Sequence, residues 1–467
     1  MNKKRFLNSI LLTVVYFVLA LLSYGLANLL ATVIMSVAFF VYVSVIIDKH
    51  IKSFSYYYFF AILVLGWGFF ARYIFLGLGI VTWGGEAYIP LLDLPEYHEL
   101  TALYILISIV FFAIGKSIAG KKKDSIKLNE DILIESYKST ASNFNFWQLL
   151  AFVIYIFVFV YSRINLRFSD DVSFGVYDNI VRTVNSFCEF IAYLSFAKYI
   201  LFKSKRSLLL SMFILLPNTI LAILAAWKGP IIILIISLLI LINSIKKVKR
   251  YKIIQTFFLL LLLFGILYPT ISLYRVNLAT TGIKQEINYD TIMEFYDKHS
   301  MLRYLSDRFC NYDNDYYVLN LPSSTIDQFL SIVGREDERL LSGLVPRVIY
   351  PEKKPVGIGL EITHYIYGYP SYVYNNNSMS FIGTVWISYG MIGIIVFSFV
   401  LGFSFKRLET LNGNSFYSLG EYMMYGQCWM NIARNGIAPG ILGLISVFIM
   451  IKVVGTFNGV LKNTEKI

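Results

Sequence analysis

Apolar and polar positions in this chain alternate on the scale of whole bilayer crossings rather than of single helix faces. Twelve apolar stretches run at 6–24, 26–47, 54–82, 100–119, 146–162, 179–202, 207–227, 230–245, 253–273, 381–405, 415–433 and 437–456. About 20 apolar residues in helical form cross the hydrocarbon core of a bilayer, and a helix satisfies its own backbone hydrogen bonds there. The pattern predicts an all-α, polytopic integral membrane protein with about 12 transmembrane helices. It divides the chain into three blocks: helices 1–9 in 1–273, a large loop in 274–380, and helices 10–12 with the C-terminus in 381–467. The first stretch opens Met-Asn-Lys-Lys-Arg, like a signal peptide. Its apolar run is too long for one and no small-residue cleavage site is clear, so it reads as an anchor.

The large loop has a polar first half and a Gly/Pro/Tyr-rich second half. Residues 291–309 and 326–342 have helix-like spacing and predict short helices on the membrane surface. Pro346, Pro351 and Pro355 break the second half into extended or turn geometry. A loop of this size in a compact membrane protein is usually functional. The loop 120–145 is polar and reads as a connector. No internal repeat is visible, which argues against transporter folds made of two similar halves.

Composition agrees with a membrane protein, since 57% of residues are hydrophobic and only 15% charged. A soluble domain of that make-up would expose large apolar patches. Cys188, Cys310 and Cys428 have no paired spacing, so neither a disulfide framework nor a metal site is indicated. The net charge of +12 is mostly topological and does not point to nucleic acid. Its distribution is the informative part. With the N-terminus cytoplasmic, the inner face carries 21 of 26 Lys but only four of 15 Arg: Arg5, Arg206, Arg250 and Arg407. Lys inside sets topology. The other eleven Arg, from Arg72 to Arg434, lie in outer loops or at outer helix ends, against that rule. A guanidinium binds phosphate or carboxylate bidentately, which an ammonium cannot do. The chain therefore reads as built to hold an anion at its outer surface. Arg303, Arg335 and Arg339 stand beside Asp307, Glu336 and Glu338 and read as structural ion pairs. Within the spans, Glu189 is the deepest charge, and it reads either as a functional group or as one half of a pair with another helix.

Leu344-Val-Pro-Arg-Val-Ile-Tyr-Pro-Glu-Lys-Lys-Pro355 is the most specific segment. It resembles the Pro-Arg…(Trp/Tyr)-Pro-x-(Lys/Arg)-Pro signature in the outer loop of bacterial O-antigen polymerases, the Wzy-type oligosaccharide repeat-unit polymerases. Three further places are similar to that family: Ser380 to Gly393 after the loop, the Trp227-Lys-Gly-Pro230 turn, and the Ala433-Arg-Asn-Gly436 turn. Departures exist. Thr384 stands where many members have an acidic residue, Ser388 where Asn is common, and Lys228 where a turn Arg is usual.

The resemblance implies a GT-C-like glycosyltransferase in the bacterial inner membrane. It would move a glycan from undecaprenyl pyrophosphate onto another lipid-linked repeat unit and build O-antigen, capsule or exopolysaccharide without a cofactor. Membrane lipids and a chain-length regulator protein are the implied partners. The leaving group gathers charge on phosphate oxygens, which preorganised cations stabilise without a metal. Lys228 and Arg275 at outer helix ends, Arg434 in an outer turn, and Arg308 and Arg347 in the loop are the candidates to bind it. A solvated charge or a lipid-phosphate contact is the competing reading for each. His364 is the candidate base, because histidine titrates near neutrality; Glu361 and Asp307 are alternatives, and a hydrogen-bonded loop His is the competing reading. Paired carboxylates with metal-ligand spacing are lacking apart from Asp313-Asn-Asp315, so no metal is expected. An O-antigen ligase shares this topology and donor, and a lipid-linked oligosaccharide flippase or other transporter is the alternative from another class.

Overall fold

The computed structural model describes residues 3–47, 55–80, 98–119, 130–166, 176–224, 229–246, 288–298, 311–345, 349–350, 353–366, 379–411 and 415–464, with the single positions 255, 270 and 368. Among them the chain is helical and contains no strand. The helices are α1 (Lys3–Tyr24), α2 (Leu29–Ile46), α3 (Tyr56–Gly77), α4 (Glu99–Ile118), α5 (Glu130–Lys138), α6 (Ala141–Leu166), α7 (Val176–Phe202), α8 (Lys205–Leu224) and α9 (Gly229–Ile245). The outer loop contributes α10 (Tyr289–Lys298), α11 (Asn311–Leu319), α12 (Ser323–Val333) and α13 (Glu336–Leu344), and the chain ends with α14 (Phe381–Leu411), α15 (Phe416–Asn435) and α16 (Ile437–Thr464). Helices coincide with eleven of the twelve apolar stretches; 253–273 lies almost wholly outside the described residues. Six are long and apolar enough to cross a membrane: Phe6–Tyr24, Leu29–Ile46, Tyr56–Gly77, Glu99–Ile118, Phe381–Leu411 and Ile437–Thr456. The chain is thus an all-α membrane protein.

The bundle packs through small residues and polar bridges rather than through apolar area alone, as expected where lipid is as apolar as Leu. A Cβ on Gly402 of α14 would lie 2.1 Å from the Phe112 carbonyl oxygen, and one on Gly115 of α4 would lie 2.0 Å from that of Phe399. Only glycine permits that approach. Ser108 and Ser398 hydrogen-bond between the same helices at 2.9 Å. At one end of the bundle, Lys116 donates to the Val45 and Ile46 carbonyls at 2.8 and 3.0 Å, closing the C-terminus of α2. At the other end, Tyr24, Tyr73, His98, Tyr312 and Tyr316 form one aromatic cluster.

Three expectations change. Residues 381–405 do not form one straight span, because Gly390 (φ 61°) breaks α14. A Cβ on Gly393 would lie 2.5 Å from Val385 Cγ1, although residues eight apart in a straight helix are separated by about 12 Å of rise. The segment 381–389 is therefore sharply bent against 391–411 at Gly390, with Val385 packed on Gly393. Second, the helix expected at 326–342 is two, α12 and α13, divided at Gly334 (φ 75°). The first of them also packs against the bundle. Phe329, Val333, Ile358, Ile362, Met379 and Ile387 bury one another in a second core that ties the loop to α14. Third, 120–145 is more than a connector. It contains α5, whose Ser136 Oγ accepts the Phe416 amide at 3.1 Å and so caps α15 from outside.

Candidate functional site

The outer loop enters the bundle through α11, a helix that the sequence pattern does not predict. Asn311-Tyr-Asp-Asn-Asp-Tyr-Tyr-Val-Leu319 is polar in composition, yet every side chain from Tyr312 to Leu319 is buried. Its two carboxylates explain this. Asp313 meets Arg72 of α3 in a two-pronged pair, with Nε to Oδ1 at 3.1 Å and an Nη to Oδ2 at 2.7 Å, and both side chains are 0% exposed. Asp315 accepts the Ser380 amide at 3.1 Å and the Ser380 hydroxyl at the start of α14. Burial, reinforced by the neighbouring Asp313, pushes the Asp315 carboxyl up to about 7 against the pull of the Ser380 bonds. His98 Nδ1 lies 3.1 Å from the Tyr312 hydroxyl, and burial lowers that imidazole to about 4. Arg72 is therefore a partner of the chain's own carboxylate rather than a cation offered to a ligand, which corrects the uniform reading of the eleven outer Arg. Asp313 and Asp315 are engaged with Arg72 and Ser380 and do not converge on a common metal position.

A second polar cluster sits where α13 meets the N-terminus of α16. Gly436 (φ 97°) turns the chain there and has no side chain to cap the helix, so the cap comes from elsewhere. Glu336 Oε2 accepts the Ala438 amide at 2.8 Å, and its other oxygen pairs with Arg339, one turn along α13. The Glu336 amide is held at 3.3 Å by the Ser388 hydroxyl. A Cβ on Gly436 would lie 3.2 Å from Thr384 and 3.3 Å from Glu336 Oε1, so the Glu336 carboxylate lies beside Thr384. Arg339 and Glu336, expected to pair, do so while almost wholly buried. Burial pushes the Glu336 carboxyl up, opposed by Arg339 and the α16 amides. Arg339 Nε has no hydrogen-bond partner among the described residues, and neither does the buried Glu361 Oε2.

Glu361 and His364 lie on the turn Gly359–Glu361 and its continuation Ile362–Ile366. Burial raises the Glu361 carboxyl, its own amide lowers it, and the charges of Arg339 and His364 pull it down further. Glu361, His364 and Arg339 are thus electrostatic neighbours, with His364 half-buried. Lys354, in the Leu344–Pro355 segment, donates to the Ser331 and Ile332 carbonyls at 2.6 and 3.1 Å and closes the C-terminus of α12. Lys228, Arg275, Arg308, Arg347, Arg303 and Asp307 lie outside the described residues, and of Arg434 only the backbone, in the last turn of α15, is described.

Below this cluster an apolar cavity of about 60 Å³ opens between α14, α15 and α16, lined by Phe381, Phe397, Leu401, Trp429, Ile437 and Ile441 among others. Val400 on its wall is 39% exposed, so the cavity opens toward the surface of the bundle. Ile437 lines it while the next residue, Ala438, presents its amide to Glu336. Elsewhere in the spans, Glu189 is bonded by Asn185 Nδ2 of its own helix at 2.9 Å, the one hydrogen bond its side chain makes among the described residues. No family model, curated protein or solved structure matches this chain.

Proposed function

We propose that this chain is an oligosaccharide repeat-unit polymerase of the bacterial inner membrane, with 12 spans and a GT-C-like arrangement. Its substrate is a glycan on undecaprenyl pyrophosphate. The observation that carries this reading is the buried Glu336–Arg339 pair at the start of α16, one residue from an apolar cavity that opens at the bundle surface. A lipid-linked phosphate needs both halves at one depth. A flippase needs instead a polar path with two gates.

In the reaction, the acceptor sugar hydroxyl attacks the anomeric carbon as its proton passes to a base, and the C–O bond to pyrophosphate breaks with its electrons leaving on phosphate. His364 and Glu361 are the two bases this site offers, both within reach of the Arg339 field. The carboxylate that the family resemblance expects at 384 is supplied here from 336, beside Thr384. Arg347, Arg434, Arg275, Arg308 and Lys228 are proposed to hold the pyrophosphate, and charge-assisted bonds of that kind make a metal unnecessary. Deleting the gene and reading the surface glycan tests the assignment. A polymerase predicts collapse to a single repeat unit, restored by the wild-type gene and restored poorly by Leu401→Trp, which fills the cavity. Full-length chains in the deletion strain would overturn it.

A further inference from the structure

The N-terminus of α16 and Arg339 together make an anion site, and the chain's own Glu336 occupies it. Three observations define the site. Gly436, which precedes α16, has no side chain to cap its amides, and Pro439 carries no amide hydrogen, so the free donors are those of the first two residues. Arg339, only 2% exposed, directs its guanidinium at the same carboxylate that accepts the Ala438 amide. Its Nε is left without a hydrogen-bond partner among the described residues, which is a costly state for a buried donor. One carboxylate offers two oxygens to this set, whereas a phosphate offers three with more charge, and a pyrophosphate more still. The site is thus better matched to a phosphoryl group than to the Glu336 that fills it.

We infer that Glu336 is an internal stand-in for a phosphoryl anion, and that ligand binding displaces it from Arg339 and the α16 amides. The identity of the ligand as a lipid-linked pyrophosphate rests on the function proposed above; the displacement does not. The geometry supports a hinge for it. α13 is a single short helix, bounded by Gly334 (φ 75°) on one side, and Glu336 is its first residue. A small rotation of α13 withdraws the carboxylate and loses the Ser388 hydroxyl contact, without disturbing the Asp313 and Asp315 anchors on α11. A ligand that must expel a competing anion binds more weakly than the empty site allows, by the fraction of time the site is open.

The test uses the full-length protein in phosphatidylcholine nanodiscs, with inorganic pyrophosphate and farnesyl pyrophosphate as probes in titration calorimetry. Glu336→Gln keeps the shape and removes the competing charge, and is expected to tighten pyrophosphate binding about tenfold. Glu338→Gln makes the same change in net charge at an exposed position of α13 and is expected to change binding less than about twofold, on the same scale. Arg339→Met in the Glu336→Gln background is expected to abolish the gain. Hydrogen exchange over 336–344 provides a second measurement: the probe should raise exchange there in the wild type as α13 is released. If Glu336→Gln binds no more tightly than Glu338→Gln, or 336–344 stays fully protected at saturating probe, Glu336 is a structural cap and the inference fails. If Glu336→Gln tightens both probes equally and the farnesyl chain adds nothing, the displacement stands and the lipid-carrier reading falls. If the farnesyl probe binds better than inorganic pyrophosphate but is indifferent to Glu336, the reverse holds.

Discussion

Removing one partner of the Arg72–Asp313 pair is the sharpest perturbation of how the loop is held. Both side chains are 0% exposed, and Asp313→Asn leaves the Arg72 guanidinium buried with an amide oxygen in place of a carboxylate. Breaking a buried pair from one side costs roughly 3–5 kcal/mol, because the surviving charge is uncompensated. The pair as a whole contributes far less, since taking both charges out of water offsets most of their attraction. Arg72→Met with Asp313→Leu should therefore lie within about 1 kcal/mol of wild type, or be more stable. The two outcomes separate in a double-mutant cycle read by unfolding in mixed micelles. Hydrogen exchange at 311–319 reports the same event locally: protection should collapse in Asp313→Asn and return in the double variant. If Asp313→Asn costs under about 1 kcal/mol, or the double variant costs as much as the single one, the pair does not hold α11 in the bundle.

Four further outcomes are expected. Raising the Asp315 carboxyl from 3.8 to about 7 means the folded chain keeps a proton that the unfolded chain loses, so α11 loses up to roughly 4 kcal/mol as pH rises from 4 to 7. His98, lowered from 6.5 to about 4, acts with opposite sign between those values, since the unfolded chain binds the extra proton. Wild-type protection of 311–319 should thus change little over pH 4–6.5, whereas Asp315→Asn should gain protection as pH rises; loss of protection in that variant would contradict the assignment. Polymerisation by reconstituted protein should survive EDTA, and restoration of a lost activity by Mg²⁺ would point back to Asp313 and Asp315. Arg347→Lys should shorten glycan chains severely while Arg335→Lys leaves them normal, at equal membrane levels, because bidentate geometry rather than charge matters at the first position. An external maleimide should label a Cys placed at Lys284 but not one at Lys122, and the reverse would undo the orientation on which the Arg argument stands.

Sequence showed the membrane helices because hydrophobic runs of bilayer length carry that information without tertiary context, and the helices overlap those runs although several ends differ by five to eight residues, as at Thr464 against 456. It concealed α11 for a physical reason. A window containing two Asp, two Asn and three Tyr reads as solvated loop, and only a partner 241 residues away, Arg72, makes its burial possible. The signal that could have found it was the coincidence of an intramembrane Arg on one side and an acidic pair in the loop on the other. The break at Gly390 was similarly hidden, because bent and straight segments of the same apolar content look alike without the Gly393–Val385 approach. Of the candidate site, His364, Glu361 and Arg339 were each visible as residue types; their meeting was not, since it depends on how α13 docks.

One rule connects these surprises. At three helix starts in this bundle, carboxylates or hydroxyls from other elements contribute to the cap: Asp315 at α14, Glu336 at α16, and Ser136 at α15 beside its own Ser415. A helix beginning inside a low-dielectric layer exposes unpaired amides and a positive end, neither of which water can satisfy. Borrowing the cap from a distant segment solves that problem and at the same time fixes where the segment lies. The position of the outer loop is therefore set by the helix starts it serves rather than by its own sequence. The two acidic caps from the outer loop accordingly differ in kind. Asp315 accepts both the Ser380 amide and the Ser380 hydroxyl, on a helix that Asp313 also anchors to Arg72, whereas Glu336 is the first residue of one short helix and lies beside an Arg with a donor to spare. Only the second is placed to give way to another anion.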